Sequence, residues 1–92
     1  MYRPYYTKQF EKSAKKLVRS GVIDRVEIET VITLLASGKP MEAKYRDHQL
    51  AGDLKQYREC HIRGDILLLY YIQKDIVVLV LSDIGSHSYL GL

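Results

Sequence analysis

All three histidines of this 92-residue chain, His48, His61 and His87, lie in its second half. An imidazole titrates near pH 6.5, so it takes or gives a proton at working pH; neutral, it is also a common metal ligand. Two carboxylates stand close to them along the chain. If residues 57–63 form a strand, Tyr57, Glu59, His61 and Arg63 share one face, and Arg58, Cys60 and Ile62 share the other. Cys60 and Ile62 suit a core, so Glu59 and His61 are expected to point outward. A hairpin at Gly64 then brings Asp65 near His61. The spacings of 13 and 26 between successive histidines match no compact zinc signature, and no HExxH element is present. Cys60, the only cysteine, reads as a small buried apolar residue and has no partner for an internal disulfide.

The elements that must hold these groups follow from the hydrophobic pattern. Tyr2–Tyr6 is short, aromatic and interrupted by Pro4, as an edge strand can be. Thr7 is placed to cap a helix from Lys8 to about Ser20, ended by Gly21. On that helix Phe10, Ala14, Leu17 and Val18 fall in one arc, with Lys8, Lys12, Lys15, Lys16 and Arg19 nearly opposite. A second helix is expected from about Ile23 to Ser37, where Ile28, Val31, Ile32 and Leu35 follow the i, i+3, i+4, i+7 pattern. Ile23, Val26 and Leu34 widen its apolar face, which predicts the more deeply covered helix of the two. Gly38-Lys39-Pro40 stops it.

Residues 41–56 form a long polar connection with His48 near its middle, and loops of that length are often functional. The period then falls to about two. Tyr57–Arg63, Asp65–Ile72 and Ile76–Leu81 read as three successive strands, with turns near Gly64 and Lys74-Asp75. Ser82–Leu92 reads as a loop or a short turn of helix. The order β-α-α-β-β-β predicts an α+β fold, a small and mainly antiparallel β-sheet packed against two N-terminal helices. Ninety-two residues suffice for a single domain, residues 1–92.

The net charge of +3 is unevenly spread: residues 1–46 carry ten Lys/Arg against five Asp/Glu, and residues 47–92 four against six. The basic half offers a surface for a polyanion. Met1–Lys8 lacks the apolar run of a signal peptide, the longest apolar runs are too short to cross a bilayer, and the one cysteine suits a reducing compartment. These features predict a cytoplasmic protein with no membrane partner. By themselves they describe a soluble α+β domain with a basic face, because a lone histidine is most often structural and a basic stripe most often a solvated helix side.

Three segments say more. Tyr45-Arg46-Asp47-His48-Gln49-Leu50-Ala51-Gly52 is similar to the Y-x-D-H-x-L-x-G element of the YafQ-like toxins in the RelE superfamily. Tyr57-Arg58-Glu59-Cys60-His61-Ile62-Arg63-Gly64-Asp65-Ile66-Leu67-Leu68-Leu69-Tyr70 resembles their strand pair, and Ile84-Gly85-Ser86-His87-Ser88 their C-terminal G-[ST]-H element. The matches come in the family's order and spacing and span essentially the whole chain. The resemblance implies the toxin half of a type II toxin–antitoxin pair, a ribosome-dependent endoribonuclease that cuts messenger RNA in the A site. It implies the catalytic set His48, His61, Asp65 and His87, with no metal and no cofactor.

Those residue types suit RNA cleavage by the strand's own 2′-hydroxyl. One group takes the 2′ proton, another protonates the leaving 5′-oxygen, and cations hold the growing charge on the phosphate. His48 or Asp65 is expected as base, His87 as acid, and His61 as a phosphate-positioning group. Lys8, Lys12, Lys15, Lys16 and Arg19 would then bind ribosomal RNA. Many relatives carry Arg two residues before the tail glycine, where Asp83 stands here, so charge stabilisation is expected from Arg46, Arg58 or Arg63. Relatives also often carry Phe four residues after the tail histidine, where Gly91 stands here; Tyr89 or Leu92 is the expected substitute for stacking on a base. The implied partners are an acidic antitoxin that folds on binding, the ribosome with its messenger RNA, and operator DNA through the antitoxin complex. Asp83 and Gly91 also allow an alternative, a weakened or inactive toxin-like module acting with an antitoxin in operator repression. A metal hydrolase built on the three histidines is a further class.

Overall fold

The computed structural model describes residues Met1–Leu92. Thr7 accepts a hydrogen bond from the Phe10 amide and so starts helix α1, Lys8–Arg19. Asp24 starts α2, Arg25–Ala36, through a capping box: its side chain takes the Glu27 amide proton while Glu27 takes its own. Strand β1 is Arg3–Tyr6, and β3 (Arg58–Arg63), β4 (Ile66–Gln73) and β5 (Val78–Gly85) make the C-terminal meander. Within the long polar connection His48–Gln49 forms a further short strand, β2. A last helix, α3, is His87–Leu90.

The sheet order is β1-β5-β4-β3-β2. Only the β1–β5 pair is parallel; β5–β4, β4–β3 and β3–β2 are antiparallel. The expected α+β arrangement is therefore the one found, with two differences in the strands. The third strand of the meander runs four residues past Leu81 to Gly85, which carries the sheet up to His87. The connection around His48 adds an edge strand that a polar sequence does not announce.

One core holds the layers together. Phe10 and Ala14 of α1, Ile28, Val31, Ile32 and Leu35 of α2, and Cys60, Leu68, Tyr70, Leu79, Leu81 and Ile84 of the sheet form one buried cluster. The even-numbered side chains of β4 thus face the helices, and Leu67, Leu69 and Tyr71 take the opposite face. The expectation that α2 is covered on a wide arc is corrected: Ile23 is buried, but Val26 is 73% exposed and Leu34 is open. Helix α2 touches the sheet at β1 and β3, so one narrow stripe suffices to bury it. No helix is long and apolar enough to cross a membrane.

The fold predicts unequal tolerance along α1. Truncating fully buried Phe10 to Ala should lower stability by about 3–5 kcal/mol. Lys12→Ala on the exposed side should stay within about 0.5 kcal/mol. Chemical denaturation of the two variants checks the difference.

Candidate functional site

The three histidines meet at one end of the open sheet face. His48 pairs in register with Glu59 across β2 and β3, and its Nε2 lies 3.0 Å from Glu59 Oε1. His87 Nε2 approaches the same oxygen at 4.0 Å. The His61 and His87 rings are 5.8 Å apart, centre to centre. His61 faces Leu67, which in turn pairs with Gly85, two residues before His87. The hairpin at Gly64 puts Asp65 within 2.8 Å of His87 Nδ1. All four residues expected to share a site do so.

Each imidazole is held by the same nitrogen. Nδ1 of His48 bonds to the Arg46 carbonyl at 2.6 Å, Nδ1 of His61 to the Gly64 carbonyl at 3.3 Å, and Nδ1 of His87 to Asp65 Oδ1. Carbonyl and carboxylate oxygens only accept, so Nδ1 carries the proton in every ring, while Nε2 of His48 and of His87 is turned toward Glu59 Oε1. The loop geometry supplies the acceptors. Arg46 sits in the left-handed region at φ 50°, and Gly64 at φ 53° closes the tight hairpin. Asp65 Oδ1 also accepts the His87 amide proton at 3.4 Å. These bonds hold the exposed Asp65 carboxyl below the usual carboxylate range.

Glu59 is the residue that strand alternation placed correctly but described wrongly. It shares the His61 face, yet it is only 4% exposed. The β2 edge and the imidazoles cover it. Its Oε2 is buried without a hydrogen-bond partner, an unusual state for a carboxylate. The ligand atoms of Glu59, His61 and His87 all lie within 4.8 Å of one another, a donor set suited to a metal ion.

The expected phosphate-binding arginines need correction. Arg63 was read as sharing the His61 face, but a bulge between His61 and Arg63 shifts the register and reverses the alternation. Its guanidinium pairs with Glu27 of α2 at 3.5 Å. Arg58 lies on the helix side, bonded to Asp47 at 3.0 Å and to the Tyr70 hydroxyl at 3.2 Å, and the Tyr70 hydroxyl also bonds Asp47. Desolvation works against the charged Arg58, and the bonds to Asp47 and Tyr70 outweigh it, raising its pKa. Burial and Asp47 push the Tyr70 phenol up as well. This closed trio fastens the residue beside His48 to the core. Arg46 alone of the three is exposed and free of an ion pair. Lys8, Lys12, Lys15, Lys16 and Arg19 are all exposed along α1, and Lys16 borders a groove lined by Ser13, Ile66, Ser86 and Tyr89. Cys60 is fully buried, and burial lifts its thiol to about 12, which leaves it inert.

A small α+β sheet with two helices on one face is consistent with a RelE-like fold. The model of the family described as the bacterial toxin of type II toxin–antitoxin systems, YafQ, matches residues 2–91, and the chain belongs to that family. It is 31% identical over 86 residues to the mRNA interferase toxin YafQ of Escherichia coli K12, covering 92% of this chain and 90% of the relative. The structure superimposes on a metal-bound toxin from Helicobacter pylori with a TM-score of 0.90 at 42% identity, over 98% of this chain and 99% of the other. It matches the toxin of the E. coli DinJ–YafQ complex with a TM-score of 0.82 at 30% identity, over 98% of each chain.

The Asp65 shift has a definite sign. A carboxyl whose folded pKa is depressed contributes stability that is complete above its unfolded value, about 3.9, and is lost as pH falls through the folded value. Asp65 should therefore titrate higher in His87→Ala than in the unaltered protein. An NMR titration of the carboxyl carbon reads this; equal values in both would remove the His87 bond as the cause.

Proposed function

We propose that this protein is an mRNA interferase of a toxin–antitoxin pair, an endoribonuclease that cuts messenger RNA in the ribosomal A site in the cytoplasm. The observation that carries the reading is the convergence of His48, His61 and His87 around one buried carboxylate with Asp65 beside them. The E. coli relative's name as an mRNA interferase supports the same activity. By analogy with the DinJ–YafQ complex, an acidic antitoxin that folds on binding holds the protein inactive, and operator DNA is reached through that complex.

On this reading the 2′-oxygen attacks the adjacent phosphorus, a 2′-O–P bond forms, and the P–O5′ bond breaks. The products are a 2′,3′-cyclic phosphate and a 5′-hydroxyl. The His48–Glu59 pair accepts the 2′ proton, and protonated His87 delivers one from Nε2 to the departing 5′-oxygen. Asp65 is better suited to orienting His87 than to acting as base, because its Oδ1 is occupied by two His87 protons. His61, beside His87, holds the phosphate. With Arg58 and Arg63 committed elsewhere, imidazolium and Arg46 supply the positive charge at the patch. The exposed α1 cations contribute non-specific, salt-sensitive affinity for ribosomal RNA.

A weaker catalyst, or an inactive module, is favoured by one observation: Asp83 pairs with Leu69, which pairs with Glu59, so an acid lies on the same cross-strand row. Mapping cleavage ends on a translated message, with and without ribosomes, separates the readings. Cleavage at ribosome-bound codons should fall roughly 10²–10⁴-fold in His87→Ala. If unaltered protein leaves the message intact, the nuclease reading is lost and the binding module stands.

A second reading of the same atoms is metal binding, favoured by the Glu59–His61–His87 donor set, the orphaned Oε2 and the metal-bound Helicobacter pylori relative. A divalent ion held there would lend positive charge to a phosphate, but it would also occupy nitrogens the proton transfers need. Cleavage should therefore survive EDTA and fall when zinc or copper saturates the protein. Loss of activity in EDTA, restored by one metal, would reverse the order of the two readings.

A further inference from the structure

Helix α3, which carries His87, has only four residues and is too short to hold its own shape. Two fastenings fix it. At its first residue, the His87 amide and Nδ1 both bond to Asp65 Oδ1. At its third, Tyr89 reaches across to α1: its hydroxyl lies 2.8 Å from Ser13 Oγ and accepts a hydrogen bond from Gln9 Nε2 at 2.9 Å. Gln9 also donates to Ser13 Oγ at 3.2 Å, closing a three-membered polar cluster.

Two features mark this contact as built into the fold. Ser13 is 5% exposed among the core residues of α1, and a buried hydroxyl needs a partner; Tyr89 is one. The Tyr89 ring lies close against Gly85, where an added Cβ would come within 2.4 Å of Cδ2. Any side chain there would evict the ring. Gly85 therefore serves close approach here, since its backbone is not in the left-handed region.

We propose that Tyr89 is a positioning residue for His87: its hydroxyl, latched to Ser13 and Gln9 over Gly85, sets α3 so that His87 meets Asp65 and directs Nε2 at the reacting phosphate. This rests on the nuclease reading. It replaces the expectation that Tyr89 acts chiefly as a stacking platform for a base. Such a platform needs only the ring, whereas a latch needs the hydroxyl.

The test compares Tyr89→Phe, Ser13→Ala and the double variant in RNA cleavage, with His87 followed by NMR. The latch predicts that kcat falls about 10-fold in each single variant while KM holds. The double variant should be no slower than the worse single, because the two changes break one interaction. The His87 Nδ1 proton should exchange faster. Should Tyr89→Phe fail to fold, Ser13→Ala alone decides. A Tyr89→Phe variant with unchanged kcat, alongside a Tyr89→Leu variant with raised KM, would overturn the latch in favour of stacking. If the unaltered protein cleaves no RNA, the nuclease reading fails by itself. The NMR arm still decides the latch, which is lost if the His87 signals are the same in Tyr89→Phe as in the unaltered protein.

Discussion

A carboxylate taken out of water must be compensated, and burying Glu59 imposes that demand on everything around it. The uncompensated penalty for such an ion is several kcal/mol even after relaxation. Glu59 meets it with imidazoles, His48 close against Oε1 and His87 a little farther away. Three stretches of chain that share no sequence neighbourhood are thereby drawn to one point. The compensation is incomplete, since Oε2 is buried with no hydrogen-bond partner.

The second constraint is the uniform fixing of Nδ1. An imidazole with both nitrogens free can rotate and exchange tautomers, and neither state is reliably aimed. Here two backbone carbonyls and one carboxylate take that freedom away. The backbone acceptors depend on unusual local conformations, Arg46 left-handed before β2 and Gly64 left-handed in the hairpin. The Arg58–Asp47–Tyr70 trio anchors the first of these from beneath the sheet. Site geometry is thus set by turns and buried polar bonds, with the hydrophobic core supplying the platform.

This division explains what could be read in advance. Helices α1 and α2 and the C-terminal strands follow from apolar period and capping residues, which are local properties, and their bounds came out within a few residues. That His48, His61, Asp65 and His87 lie together accords with the motif resemblance, and the hairpin at Gly64 was enough to place Asp65 near His61. The burial of Glu59 was not legible, because it depends on β2, a two-residue strand whose partners Glu59 and Arg58 lie on the far side of a polar loop. Arg63 went to the wrong face because one bulge resets a period-two count, and no residue type announces a bulge at Ile62. The partners of Arg58 and Tyr89 lie 11 to 80 residues away, beyond any local pattern. Val26 shows the reverse limit: an apolar residue on an amphipathic helix is buried only where a neighbour exists to cover it.

The charge balance of the patch follows from these placements. Asp83 adds an acid on the cross-strand row of Glu59, and the two arginines nearest His61 in sequence are neutralised by Asp47 and Glu27. The patch holds Glu59 and Asp65 against three imidazoles, with Asp83 on the neighbouring strand. An RNA phosphate approaching it is therefore met by Arg46 and by whichever imidazoles carry a proton. On the proposed mechanism, phosphate binding and acid catalysis draw on the same imidazolium protons. An arginine in place of Asp83 would separate binding from proton transfer.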